Sequence, residues 1–175
     1  RGFYTPFDQE VDQLELMTKF EPRMKMLPFM TGSTSTSDQI SKGRENALSL
    51  LQSNPDPESL QAIVSWWWPL TVGASQALTQ MGRKALVVNH YFSDQLLSEM
   101  ASPDSPIAFS TDVPYHTAGD KIGEIALALG QGQDVPNHTY HVPVTAIEKS
   151  EAAGALEELK AMDQKAIELL KTYGG

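Results

Sequence analysis

The sequence contains no cysteine, so neither a disulfide framework nor a thiolate metal site is available, and the redox compartment stays open. It also lacks long apolar runs: none approaches the roughly 20 residues that a bilayer-spanning helix needs. Basic charge is scarce, with 13 Lys and Arg against 22 Asp and Glu, a net charge of -9 and a pI near 4.8. Phosphate binding needs clustered Lys and Arg, so no nucleic acid is expected as a partner. Glycine is absent from the polar stretch Ser33 to Ser37, and neither a P-loop nor a dinucleotide fingerprint occurs anywhere. His138 and His141 are close, but no carboxylate stands near them at ligand spacing, so no metal and no other cofactor is expected. No nucleophile, base and orienter fall into a recognisable pattern, so the sequence does not support an enzyme. The initiator methionine is lacking as well, since the chain begins at Arg1, which implies a processed, trimmed or partial polypeptide.

What is present is organised around Ala62 to Leu78. Ala62, Ile63 and Val64 form a short apolar run of β-formers, expected of a strand buried on both faces of a parallel sheet. Trp66, Trp67 and Trp68 follow, and Pro69 suits the first turn of a helix. In that helix Gly73 and Ala74 are expected to allow close packing on the sheet. With 175 residues, 41% of them hydrophobic, the chain is long enough for one core and part of a second.

The remaining elements alternate. Phe7, Val11, Leu14, Met17 and Phe20 predict an amphipathic helix over about Asp8 to Lys19, and Met24 to Met30 a strand that Pro28 places near a sheet edge or at a bulge. Ser37 or Asp38 is expected to cap a helix ending at Asn54-Pro55-Asp56-Pro57. Further strands are expected at Ala85 to Val88 and Ile107 to Ser110, each followed by a helix, with an extended segment over His138 to Ile147. From Ser150, the positions Leu156, Leu159, Met162, Ala166, Leu169 and Tyr173 mark one face of a closing helix. The fold class is therefore α/β, a doubly wound, mainly parallel sheet with helices on both faces.

In order and wording these segments resemble the second half of a type I periplasmic binding protein, the solute-capturing component of an ABC importer. Leu70-Thr71-Val72-Gly73-Ala74 with Ala77-Leu78, Gly82-Arg83, and Val87-Val88-Asn89-His90-Tyr91 fall where the family has its helix, turn and strand phrases. Thr111 to Gly119, Gly132 to Pro136 and Val142-Pro143-Val144 follow like its hinge crossing, turn and returning strand. The resemblance implies a second, C-terminal-type lobe over residues 1–111, a crossing and returning segment of a first lobe over 112–147, and a C-terminal helix over 148–175. It also implies that the rest of the first lobe lies outside this chain. A permease of an ABC transporter and a periplasmic or extracellular location come with it.

Strands in a parallel sheet bring their carboxyl ends to one edge, where ligands of open α/β sheets bind. Trp66, Trp67, Trp68, His90, Tyr91, Asp112 and Tyr115 all stand just after predicted strands and are the candidate ligand-binding residues. Successive side chains of a strand alternate, so the three tryptophans cannot share one direction. Aromatic faces stack on sugar rings or hold a cation, so the expected solute is small and polar, sugar-like or cationic. A flavodoxin-like enzyme using the same edge, or the ligand-sensing effector domain of a regulator or sensor, are the alternatives.

Overall fold

The computed structural model describes residues 35–111, 115–135 and 144–173. The expected helix over Asp8 to Lys19, the strand near Met24 and most of the segment from His138 lie outside these residues. Helix α1 runs Thr36–Ser53. Its N-cap is Ser35, whose hydroxyl accepts from the Asp38 N–H at 3.2 Å, so the cap stands before the expected Ser37 or Asp38. Asp38 instead occupies the first turn, where a carboxylate favours the positive end of the helix dipole. Strand β1 (Ala62–Ser65), helix α2 (Trp68–Gln80), strand β2 (Leu86–Asn89), helix α3 (Asp94–Ala101) and strand β3 (Ile107–Thr111) follow. Helix α4 is Tyr115–Gly130, strand β4 is Ala146–Glu148 and helix α5 is Ala152–Tyr173.

The sheet order is β1-β2-β3-β4. The first three strands are parallel and β4 runs antiparallel to β3, so the chain is α/β with a mainly parallel sheet, as expected. Val64 pairs with Val88, and a register irregularity after Val87 sets Val88 opposite Phe109. Ile63, Val87, Ile107 and Ile147 therefore point to one face and pack with the helices. The core is completed by Leu51 of α1, Val72, Ala77 and Leu78 of α2, Leu96, Leu97 and Met100 of α3, and Ala152 of α5.

The expectation that β1 is buried on both faces does not hold. Ala62 is exposed and Val64 is 49% exposed, a one-sided pattern, because only β2 pairs with β1 among the described residues and the helical core covers the Ile63 face. Gly73 likewise has a different neighbour from the one expected. A Cβ there would lie 2.2 Å from the Ile40 carbonyl oxygen, and one on Gly43 would lie 2.6 Å from that of Leu70, so the two glycines bring α1 against α2. Helix α2 is consequently buried along most of its length, between α1 and the sheet. It ends at Met81, and the following Gly82 takes φ 61°, a left-handed turn that glycine adopts without steric cost.

The closing helix also differs. Leu156 and Leu159 pack on the core, but Met162, Ile167, Leu169 and Leu170 are exposed, because only the first half of α5 lies along α3 and β4. Helix α4 exposes Ile122, Leu127 and Leu129 and makes no extended packing with any other element among the described residues. No helix in the described residues is long and apolar enough to cross a membrane.

Candidate functional site

The carboxyl ends of β1, β2 and β3 meet at one edge, where α2 also begins. Ser65 is the last residue of β1 and pairs with Asn89, which in turn pairs with Ser110. Beyond this register the chain presents Trp66 and Trp67 after β1 and His90 and Tyr91 after β2. The His90 N–H donates to the Ser65 carbonyl at 3.1 Å and so continues the ladder one residue past the strands.

The aromatic groups form two pairs. Trp66 meets His90 edge to face, with ring centroids 5.0 Å apart and an interplanar angle of 69°. Trp67 stacks on Tyr91, with centroids 5.3 Å apart and planes 14° apart. Offset-stacked and edge-to-face geometries are the arrangements that ring quadrupoles favour. The alternation of a strand continues into this turn. Trp66 lines an open depression with Val64, Val88, His90, Phe109 and Thr111, whereas Trp67 turns toward α1 and donates its indole N–H to Gln39 Oε1 at 2.7 Å. Trp68, in the first turn of α2, packs against the core and is not among the residues lining the depression.

A buried polar cluster lies beneath the rings. Asn89 is 2% exposed. Its Oδ1 accepts from the Thr71 hydroxyl at 2.6 Å, and its amide donates to Ser110 Oγ at 3.0 Å and to the Tyr91 carbonyl. Unpaired polar groups in such a position are costly, and here the strand ends and α2 pair one another. Thr111 completes the edge, with its hydroxyl 2.5 Å from the His90 carbonyl oxygen and 2.8 Å from His90 Nδ1. The residues lining the depression include no Asp, Glu, Lys or Arg and its exposed lining is almost wholly apolar, so this surface offers ring and aliphatic faces without a formal charge to match an ion.

The structure thus brings Trp66, Trp67, His90 and Tyr91 to one edge. Asp112 lies outside the described residues, and Tyr115 is placed only as the first residue of α4. Among the described residues no three His, Cys, Asp or Glu side chains converge as a metal site would require. Sequence reasoning missed Gln39, Asn89, Ser110 and Thr111. A polar residue at a strand end was the available signal for three of them, and Gln39 carries no local signal at all.

No family model matches the sequence, and neither does any curated protein. Solved structures do match. One is an ABC transporter solute binding protein from Agrobacterium vitis with bound allitol, 26% identical, covering 85% of this chain and 51% of that one with a TM-score of 0.66. Another is an ABC sugar transporter subunit from Rhodobacter sphaeroides, at 23% identity, 86% and 54% coverage and a TM-score of 0.68. A third is a 5-methylthioribose transporter solute binding protein from Thermotoga lettingae in complex with 5-methylthioribose, at 18% identity, 99% and 51% coverage and a TM-score of 0.67.

This chain has the fold of a type I periplasmic binding protein. It spans about half the length of each of these structures. The edge bearing Trp66, Trp67, His90 and Tyr91 is the one from which the parallel strands hand over to the following turns and helices. The proteins it matches are binding proteins rather than enzymes.

Proposed function

We propose that the chain is the second lobe (1–111), the crossing and returning segment (112–147) and the closing helix (148–175) of a solute-binding protein. It captures a small, neutral, sugar-like molecule and passes it to the membrane permease of an ABC transporter, without turnover, in the periplasm or outside the cell. The observation that carries this reading is the uncharged edge where two aromatic pairs stand at the carboxyl ends of parallel strands. Allitol and 5-methylthioribose, bound by two of the similar structures, are hydroxyl-rich neutral molecules of the class such an edge suits. A cation is the weaker candidate, since no carboxylate stands among the lining residues to pair with it. The exposed apolar faces of α4, within the returning segment, and of the second half of α5 support further first-lobe chain packing on them.

Thermal shift and calorimetric titration of the 175-residue chain against aldoses, polyols and quaternary amines test the proposal. A neutral polyol or sugar is expected to raise the melting temperature saturably. Trp66→Ala and Trp67→Ala are expected to weaken that binding by about 1 to 3 kcal/mol, as for other aromatic stacking on planar ligands. Stabilisation by none of these compounds, or equal affinity in wild type and both variants, would remove the edge from solute binding.

A further inference from the structure

The hydrogen bonds at Thr111 decide which nitrogen of His90 carries the proton. A threonine hydroxyl has one proton to donate. Thr111 Oγ1 lies 2.5 Å from the His90 carbonyl oxygen, a group that can only accept, so the proton must lie on that line. If it pointed to the ring instead, two lone pairs would face each other at this short distance. The same oxygen is 2.8 Å from His90 Nδ1 and can there only accept, which requires Nδ1 to be the donor. The backbone bond from His90 to Ser65 and the edge-to-face contact with Trp66 hold the ring in this orientation.

The other ring nitrogen, Nε2, makes no hydrogen bond among the described residues. It is not among the buried side-chain polar atoms there that lack a partner, of which Arg83 Nε is the single case. His90 lines the depression together with Trp66 and Thr111. In a neutral imidazole with its proton on Nδ1, Nε2 is an acceptor only. We propose that Thr111 is a positioning residue that holds His90 as the Nδ1–H tautomer, so that Nε2 receives a hydrogen bond from a hydroxyl of the solute. The solute half of this assignment rests on the solute-binding reading above, and the tautomer half does not. It adds a sign to the site: this position selects ligands that bring a donor, as an alditol or sugar hydroxyl does, over methylated or deoxy analogues that bring none.

Long-range proton–nitrogen correlation spectra of the ¹⁵N-labelled 175-residue chain at alkaline pH, where imidazoles are neutral, read the tautomer directly. His90 is assigned by the signals lost in His90→Gln. Wild type and Thr111→Ser are expected to show protonated Nδ1 and an unprotonated Nε2, and Thr111→Val a shift toward the Nε2–H form that free imidazoles prefer. An Nε2–H ring in wild type overturns the proposal without recourse to any variant, and an unchanged Nδ1–H ring in a folded Thr111→Val overturns the role of Thr111. Titration with allitol is then expected to move the Nε2 resonance, with affinity about tenfold lower in Thr111→Val than in Thr111→Ser. Binding that leaves Nε2 unmoved overturns the acceptor role. If no polyol binds while the Nδ1–H signature is present, the solute-binding reading fails and the tautomer assignment stands.

Discussion

Replacing Trp68 by alanine removes a side chain that packs on the core from the first turn of α2, whereas replacing Trp67 removes one that is 43% exposed. Stability should therefore separate two neighbours that the sequence presents as equivalents. Urea denaturation is expected to show Trp68→Ala destabilised by about 2 kcal/mol and Trp67→Ala by less than about 1 kcal/mol, from the apolar area each withdraws from water. Equal losses would mean that both rings are structural. The alternation of directions was legible in the sequence because a strand imposes it. The polar cluster was not legible, since Asn89 reaches Thr71 and Ser110 across 18 and 21 residues of chain, and only the packing of α2 on the sheet and the strand register bring them within hydrogen-bond distance. For the same reason the sequence places Thr111 only at the start of the crossing after the strand, although its hydroxyl meets both the backbone and the ring of His90.

At the scale of elements, the contact between α1 and α2 is set by backbone rather than by side chains. A methyl group on Gly73 would lie 2.2 Å from the Ile40 carbonyl and 2.5 Å from the Arg44 nitrogen, and neither atom can move without moving the helix. Gly73→Ala is expected to lower the unfolding free energy by about 3 kcal/mol despite its better helix propensity, at the upper end of the usual cost of overpacking. A neutral or stabilising result in urea denaturation would show that the two helices are further apart. Short apolar runs bounded by turn residues located β1, β2 and β3 to within one residue or so. The partner of Gly73 was missed because small residues announce a close approach but not what approaches. The antiparallel β4, three residues long, had too little pattern to reveal its direction.

Across the described residues, exposure is uneven: the helical side of the sheet is closed, while Leu127 and Leu129 on α4 stand 63% and 58% exposed. Substituting both by lysine is expected to change the unfolding free energy of this chain by no more than about 0.5 kcal/mol, as for surface positions without packing partners. Calorimetric unfolding of the double variant checks this, and a loss of several kcal/mol would place both side chains in a packed interface of the folded chain. The overall class followed from the alternation of strands and helices. The unequal covering of the two sheet faces did not, because burial on each face depends on what packs there and not on the strand's own residues.

The crowding of aromatic groups at one strand end has an optical consequence. All three tryptophans of the chain are Trp66, Trp67 and Trp68, so intrinsic emission excited at the indole band originates from this edge alone. Emission therefore follows the opening of the edge, while far-ultraviolet circular dichroism follows the helices, α5 prominent among them. The two melting curves coincide only where edge and helices unfold as one cooperative unit. Any gap between them measures how independently the strand ends come apart, with no label attached.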